Sequence, residues 1–461
     1  MVNTPTLDCV IIGAGLTGLS TAHRLAQHSH SIRVLEAQER AGGQIHTLRR
    51  EGFVIESGPN TGIISNPEVA ELFDDFPGLL QTAKPEAKRR FILKAGRFRP
   101  LPSGLMSALC TDLFTWRDKL GILREPWVPA GTDPNESIAS LVRRRLGKSY
   151  LTYAVDPFVG GIYAGDPEQL VTRHALPKLY ALEAEHGSFV RGAIALSKKQ
   201  KSARDKRASK EVFSAQGGLS TLTDAIASQL SKQGQLELGV SQLRIKHLPQ
   251  QALWHISYVQ GGAQYEIYAR QVVSTVGTIE LDELTTELRD SRFGELRALR
   301  YAPIVQVAVG YRVAPQIDFN GFGGLIPSIE DQEVLGILNP SASFSGRCPE
   351  GGLLLSVFLG GLRAPDLINK EEGYIRQLVL TSLEKYLGIH QAPDLLELFH
   401  HPRAIPQYEA SSDRRFELIK QLELDYPGLL IGGNMHNGIG MPDRIKQGVQ
   451  LAERVISQHN N

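Results

Sequence analysis

The hydrophobic positions near the start of the chain change period twice. Cys9, Val10, Ile11 and Ile12 form an unbroken apolar run of strand length, and a Gly-rich turn follows. Leu16, Leu19, Ala22, Leu25 and Ala26 then recur along one helix face, and Ile32, Arg33, Val34 and Leu35 return to strand character. This order predicts a parallel α/β unit. From Thr82 to Lys210 the alternation gives way to segments punctuated by Pro and Gly, with helical patterns that carry Phe114, Trp116 and Trp127 as exposed aromatics. Strand patterns resume after Gly217 and Gly218, at residues 236–238, 254–259, 265–268 and 272–274, and then at 304–311 and 353–359. Residues 428–458 read as a strand, a Gly-rich loop and a closing helix, and no internal repeat or low-complexity tract interrupts the chain.

At 461 residues the chain is long enough for two or three domains with an enclosed pocket. Its 50 Lys+Arg against 49 Asp+Glu provide no bulk attraction for nucleic acid, which is therefore not an expected partner. A hydrophobic share of 42% and a charged share of 21% exclude wholesale disorder. Cys9, Cys110 and Cys348 lie too far apart to form a zinc pattern or a disulfide framework, so a reducing, cytoplasmic setting is expected. No Lys or Arg precedes Arg24, and a secretory leader is not expected. The longest charge-free apolar tract, residues 351–362, spans 12 positions, whereas a bilayer span needs about 20. The Gly pairs at its two ends predict turns around a core strand. The basic stretch 198–210 holds Lys198, Lys199, Lys201, Arg204, Lys206, Arg207 and Lys210, opposed within it by Asp205 alone, and reads as a solvated loop or a contact with anionic lipid.

Gly13, Ala14, Gly15, Leu16, Thr17 and Gly18 join the first strand to the first helix, and Glu36 ends the next strand 18 residues after Gly18. Here Gly13 permits the tight turn, Gly15 lets the backbone approach a pyrophosphate at the positive helix end, Gly18 permits close helix–strand packing, and Glu36 can accept from ribose hydroxyls. Such a site binds a dinucleotide. Glu36, Ala37, Arg40, Gly42, Gly43 and Gln44, followed by Thr47, Gly52, Glu56 and Gly58, supply a second Gly pair on which another loop closes, with Arg40 available to a pyrophosphate or an adenosine. This second block resembles the Arg-x-Gly-Gly segment of the flavin amine oxidase superfamily, and the resemblance selects FAD over NAD.

Later blocks narrow the likeness. Pro157-Phe158-Val159-Gly160-Gly161-Ile162-Tyr163-Ala164-Gly165-Asp166-Pro167 resembles a signature of the protoporphyrinogen oxidases. Arg90-Phe91-Ile92-Leu93 with Leu101-Pro102-Ser103-Gly104, Gly321 to Ser328, Ala404 to Tyr408, and Gly433-Asn434 through Asp443 are also similar to that family, so the resemblance runs from residue 13 to residue 443. Departures are Gln44, Ser411-Ser412 and Met435. The family implies an α/β and α+β architecture: a discontinuous Rossmann-like FAD domain (1–81, 211–277 and 404–461), a helical substrate- or membrane-facing region (82–210) and a mixed-sheet substrate domain (278–403).

The resemblance further implies a non-covalent FAD that removes six electrons from a porphyrinogen in three cycles, with oxygen as acceptor and hydrogen peroxide as product. The flavin carries the chemistry, so no catalytic side chain is expected. Arg90 matches the family's propionate-binding Arg, and Phe322 and Leu325 match its pocket lining. Val240 is similar to the valine that receives the adenine. Gly58, Pro59, Asn60 and Thr61 are expected beside the flavin ring, and Asn434, Ile439, Gly440 and Met441 at its other end, where a helix N-terminus stabilises pyrimidine charge. His436 is expected to be a satisfied loop histidine. The family also leaves open a peripheral contact with the inner face of the cell membrane, through Leu105, Met106, Leu109, Leu113, Phe114 and Trp116, together with a homodimer and hand-over of product to a ferrochelatase. An amine oxidase or carotenoid desaturase would need an aromatic cage or a lipid tunnel, and the 163–167 block argues against both. The choice between protoporphyrinogen and coproporphyrinogen stays open, with Lys88, Arg89, Arg97 and Arg99 as added cations.

Overall fold

The structure is a computed structural model, and it describes residues 6–198, 200 and 202–459. The opening apolar run becomes strand β1 (Thr6–Ile12), the amphipathic stretch becomes helix α1 (Leu16–Gln27), and β2 (Ile32–Leu35) pairs parallel to β1. Around them a seven-stranded sheet runs in the order Leu236–Glu237, β2, β1, Ala263–Ser274, Leu253–Gln260, Ser241–Leu248, with Leu429–Ile431 also on Ala263–Ser274. The two strands expected at 265–268 and 272–274 are one. Residues 263–269 pair antiparallel with Leu253–Gln260, while 268–274 pair parallel with β1, so a single strand serves both halves of the sheet. The polar Arg270 and Gln271 between the two apolar runs mislead a reading of sequence alone. Helix α1 packs against the closing helix Met441–His459 on one face of this sheet.

A second seven-stranded sheet has the order Leu395–Pro406, Tyr301–Tyr311, Leu353–Gly360, Val334–Leu338, Gly323–Leu325, Arg90–Lys94, Arg97–Pro100. The 351–362 tract is accordingly a core strand between glycine turns. Helix Glu372–Leu387 covers one face of the sheet, burying Ile375, Val379 and Leu383 against Val305, Val307, Leu355, Val357 and Ile337. Its last two strands come from the first hundred residues of the chain, so the helical excursion proper begins at Leu105.

Within that excursion Glu125 and Arg145 are fully buried. Arg145 Nη1 donates to Glu125 Oε1 at 2.8 Å, its Nε donates to Glu183 Oε1 at 2.7 Å, and Glu125 accepts from the N–H groups of Phe189 and Val190. The turn carrying Leu123 and Trp127 is thereby pinned to helix Ile138–Arg145. The apolar stripe of this region divides. Leu113 and Phe114 are buried, with Phe114 stacked on Tyr150 at 4.2 Å between ring centres, so Phe114 is no exposed aromatic. Met106, Leu109, Trp116 and Trp127 stand in solvent. The side chain of Leu105 lies outside the described part of the structure. The basic stretch is also less free than expected: Arg204 pairs with Glu68 and Glu71, and Arg207 with Asp74, all on helix Pro67–Asp74. Those acids lie about 130 positions away in sequence and are invisible within the stretch. Lys199 and Lys201 lie outside the described residues.

Where the two sheets meet, Glu56 (4% exposed) pairs with Arg347 (2% exposed) at 2.8 Å. Glu56 also accepts from Thr47 Oγ1 at 2.6 Å and from the N–H of Leu219 at 2.9 Å, its own carbonyl accepts from Gln306 Nε2 at 2.6 Å, and Arg347 reaches Ser214. Burial pushes the Glu56 carboxyl up, against the opposing pull of Arg347 and its other donors. Removing one member of such a pair strands the other charge in the interior, so Arg347→Met should cost about 3–5 kcal/mol. Chemical denaturation of the two proteins side by side measures this, and an unchanged midpoint would contradict it.

Candidate active site

The first glycine turn is built as its spacing requires. A side chain on Gly18 would overlap the Gly13 carbonyl oxygen, so helix and strand approach there with no room to spare. At Gly15 a Cβ would meet no atom within 4 Å, so the tip of the turn faces open space. Leu16 and Thr17 are buried in the first turn of α1. The second glycine pair closes on the first: the Gly42 N–H donates to the Ala14 carbonyl at 2.8 Å, and Gly43, at φ +57°, would press a Cβ to 3.0 Å from the Gly15 Cα. Glu36 is buried and accepts from the N–H groups of Ala14 at 2.6 Å and Gln38 at 2.9 Å, while Ala37 is exposed beside it. The N–H of Val240 donates to the Glu36 carbonyl at 3.0 Å, which brings the middle segment to the same cleft. Arg40 does not point freely into this cleft. Its guanidinium binds the carbonyls of Ala41, Gly43 and Ile45, fixing the second glycine loop.

Gly58 lies on the Gln44 carbonyl, closely enough that a Cβ would overlap it, and Gln44 is itself exposed. Pro59 and Thr61 are half-buried on either side of Asn60, which donates to the Gly58 carbonyl at 3.0 Å and accepts from Ser356 Oγ at 3.0 Å. Ser356 belongs to the second sheet and begins a cross-strand row: Ser356 pairs with Leu338, Leu338 with Gly323, and Gly323 with Arg90. A parallel row holds Phe358, Gly336, Leu325 and Ile92. Paired residues share a face, so Asn60 and Arg90 mark two ends of one shelf, three strand spacings of about 4.8 Å apart. Gly323 and Gly336 leave its middle flat. Phe358, Leu338 and Leu325 are half-buried there, and Phe322 sits beneath the Arg90 guanidinium, 5.2 Å from carbon to ring centre. Arg90 is exposed and makes no ion pair among the described residues.

Helix Asp156–Tyr163 borders the shelf. Gly161 lies against Leu325, and Phe158 and Ile162 present exposed side chains one helical turn apart. Arg363 holds this helix through Asp156 at 3.2 Å and the Ile326 carbonyl at 2.7 Å, and burial pulls its guanidinium below the usual arginine range. The 163–167 block is the far anchor: Tyr163 donates to the Ala175 carbonyl, its own carbonyl accepts from Gln407 at 2.9 Å, and the Leu362 N–H donates to the Ala164 carbonyl at 2.7 Å.

The C-terminal loop closes the cleft. Asn434 Oδ1 accepts from Tyr301 Oη at 3.4 Å, Ile439 packs in the cluster of Tyr163 and Tyr408, and Met441 lies against Gly62. Its carbonyls are held over a continuous run, whereas its N–H groups are held only in part: those of Gly433 and Gly438 donate to Gln447 Oε1 at 2.9 Å and to Tyr408 Oη at 3.2 Å. Six consecutive carbonyls, from Gly433 to Gly438, accept from the side chains of Arg444, Tyr408 and Arg415. The N–H groups of Asn434, His436, Asn437 and Ile439 have no hydrogen-bond partner among the described residues, and that of Gly440 is held by Asp443 at 3.2 Å. His436 bonds the Ile431 carbonyl at 2.7 Å, as a structural loop histidine would. Burial pushes the Tyr408 hydroxyl up to about 12. Gln306 contributes a further feature: its Oε1 is fully buried on the shelf face beside Phe358 and has no partner among the described residues.

Sequence reasoning missed Gln306, Ser356, Arg415 and Arg444, which lie outside the motifs, and gave no role to Tyr408 although it closes the 404–408 block. An open phosphate turn, a buried ribose acceptor, a set of free loop donors and an orphaned acceptor fit a flavin dinucleotide lying from Gly15 to the 434–440 loop. When bound, the flavin supplies hydride acceptance, and the chain supplies position and field. Gly15→Val should fold with stability within about 0.5 kcal/mol of the parent, because its side chain meets only open space. Its flavin absorbance per chain should be largely lost. A fully flavinated variant would place the pyrophosphate elsewhere.

Comparison with known proteins matches this geometry. The family model of flavin containing amine oxidoreductases matches residues 16–456. Protoporphyrinogen oxidase 1, chloroplastic, of Arabidopsis thaliana is 32% identical over 471 residues, covering 95% of this chain and 86% of that protein. A Bacillus subtilis (strain 168) protein named coproporphyrinogen III oxidase is 25% identical, covering 95% and 96%. A crystal structure from Exiguobacterium sp. 255-15 superposes with a TM-score of 0.81 at 22% identity, covering 99% of this chain and all of that one, which establishes the shared fold. The chain is thus an FAD-dependent oxidoreductase that belongs to the flavin containing amine oxidoreductases and, within them, to the protoporphyrinogen oxidase family.

Proposed function

We propose that the protein oxidises protoporphyrinogen IX to protoporphyrin IX in haem biosynthesis. Three rounds remove six electrons and six protons in all, and three molecules of oxygen leave as hydrogen peroxide. The observation that carries this reading is the flat shelf between Asn60 and Arg90. A large apolar macrocycle can lie on Phe358, Leu338 and Leu325 over the two glycines, with its carboxylates at the Arg90 end. Two cations of the neighbouring hairpin are spent, while Lys88, Arg89 and Arg97 make no ion pair among the described residues. Lys94 Nζ is held by the carbonyls of Asp112 at 2.9 Å and Leu113 at 2.7 Å, and Arg99 pairs with Asp112 at 2.8 Å. Arg90 at the shelf end suits two adjacent propionates, although Arg97, opposite Lys94 in the hairpin, also makes no ion pair among the described residues; the choice of protoporphyrinogen over coproporphyrinogen rests on the higher identity to the protoporphyrinogen oxidases.

With purified yellow protein in air, porphyrin fluorescence should grow with both peroxide release and protein concentration, faster with protoporphyrinogen than with coproporphyrinogen. Failure to turn over either one, with FAD bound, would refute the reading. Arg90→Ala removes a charge-assisted hydrogen bond at a partly exposed site and should raise KM about tenfold while leaving kcat and bound FAD near their original values. Unaltered kinetics would remove the carboxylate role from Arg90.

The excursion supports a reading of localisation. No helix among the described residues is long and apolar enough to cross a membrane. Met106, Leu109, Trp116, Leu120, Leu123 and Trp127 are nevertheless exposed together in residues 106–127, with Arg117 and Arg124 exposed among them. We read this as a peripheral docking face for the anionic inner surface of the cell membrane, reached from the cytoplasm. Vesicles containing anionic lipid should carry the protein on flotation, and Trp116→Ser with Trp127→Ser should release it. Equal flotation of the double variant would reject this face.

A further inference from the structure

Five of the six carbonyls from Gly433 to Gly438 are held by two arginines that make no ion pair among the described residues. Arg444 is 8% exposed and Arg415 is 5% exposed. Arg444 donates to the carbonyls of Gly433, His436, Asn437 and Gly438 and to Gln447 Oε1 at 2.7 Å. Arg415 donates to the Met435 carbonyl at 2.8 Å and to Ser412 Oγ at 3.0 Å, and lies over the rings of Tyr408 and Phe416 at 5.5 and 5.1 Å. Neither makes an ion pair among the described residues. The nearby acids are otherwise engaged: Glu409 pairs with Arg300, Asp413 with Arg173 and His174, and Asp443 with the Gly440 N–H. Burial pulls both guanidinium groups below the usual arginine range. Burying a cation without an anion is costly, and here it happens twice behind one loop.

We infer that Arg444 and Arg415 are positioning residues that set the reduction potential of the bound flavin. They hold five of the six carbonyls, Tyr408 holding that of Asn434, while the peptide N–H groups of Asn434, His436, Asn437 and Ile439 stay without a partner among the described residues, and they add a positive field behind those donors. Oxidising the substrate delivers two electrons and one proton to the flavin, which leaves one negative charge on its pyrimidine ring; the second proton goes to solvent. Oxygen later removes the two electrons and leaves with two protons as peroxide. A positive field on the donor face favours the charged, reduced form and so favours substrate oxidation. The inference rests on reading residues 434–440 as the flavin-ring end of the cleft.

The test is the two-electron midpoint potential of the FAD-loaded protein, measured against reference dyes, for the parent, Arg444→Gln, Arg444→Lys and Arg415→Gln, with FAD affinity measured in parallel. Arg444→Gln should weaken reduction about tenfold, a fall of ~30 mV for a two-electron couple. Arg415→Gln should shift it in the same direction. Arg444→Lys, which keeps the charge and loses the fork, should bind FAD more weakly with a potential near that of the parent. Sulfite addition to the bound flavin, which also leaves negative charge on the ring, should weaken in step with the potential. Should Arg444→Gln fail to load FAD, Arg415→Gln carries the same test. Unchanged potentials in the glutamine variants, or equal shifts in the lysine and glutamine variants, would overturn the field role. If affinity falls while the potential holds, the loop keeps its place at the flavin and only the field role is lost; if neither changes, the placement fails too.

Discussion

A buried carboxylate cannot be left alone, and Glu56 shows how much structure that constraint organises. Its three acceptor contacts come from Thr47, the start of helix Ser220–Lys232 and Arg347, and Gln306 binds the carbonyl of the same residue. These partners belong to the first segment, the middle segment, an inner strand of the second sheet and the loop that leads into its strand Leu353–Gly360. Satisfying one charge therefore draws the cofactor cleft and the shelf into a fixed relation. Asn60, four residues further on, then reaches Ser356 and sets where the shelf begins.

The site that results is divided by function. The turn at Gly15 is open, with the Gly42–Gly43 loop closed on it, while the 433–440 loop carries N–H groups without a partner among the described residues at the opposite end. Side chains mostly act behind these surfaces. Arg40 fixes the second glycine loop, Arg363 fixes the bordering helix, and Arg444 with Arg415 and Tyr408 fixes the last loop. Arg90 is different: it stands at the open end of the shelf with no carboxylate, and Phe322 supports it from below. A flavin enzyme acting on a large ring needs this combination of precise backbone, flat apolar floor and a free cation.

The 163–167 block is the part of the sequence that most narrowed the family, and the contacts of Tyr163 and Ala164 are structural ones. Tyr163 and Ala164 tie the end of one helix to the second sheet and to Gln407, and through Gly161 that helix meets Leu325. A motif this specific therefore records a packing solution that keeps the wall of a pocket in place.

Sequence alone determined the parts whose physics is local. The strand–turn–helix at Gly13 to Gly18, the acid at Glu36 and the closing helix after a Gly-rich loop follow from periodicity and from backbone geometry that few residues can adopt. Tertiary structure decided everything that depends on distant partners. It merged two expected strands into Ala263–Ser274, placed the Arg90 hairpin in a sheet built mainly from residues beyond 300, and gave Arg204 and Arg207 their acids on another helix. It also buried Phe114, engaged Arg40 with its own loop and put two arginines without acids behind the 433–440 loop. Propensity and spacing act over a few residues, whereas the partner of a buried charge or the row of a cross-strand pair is set only when segments hundreds of positions apart close on one another.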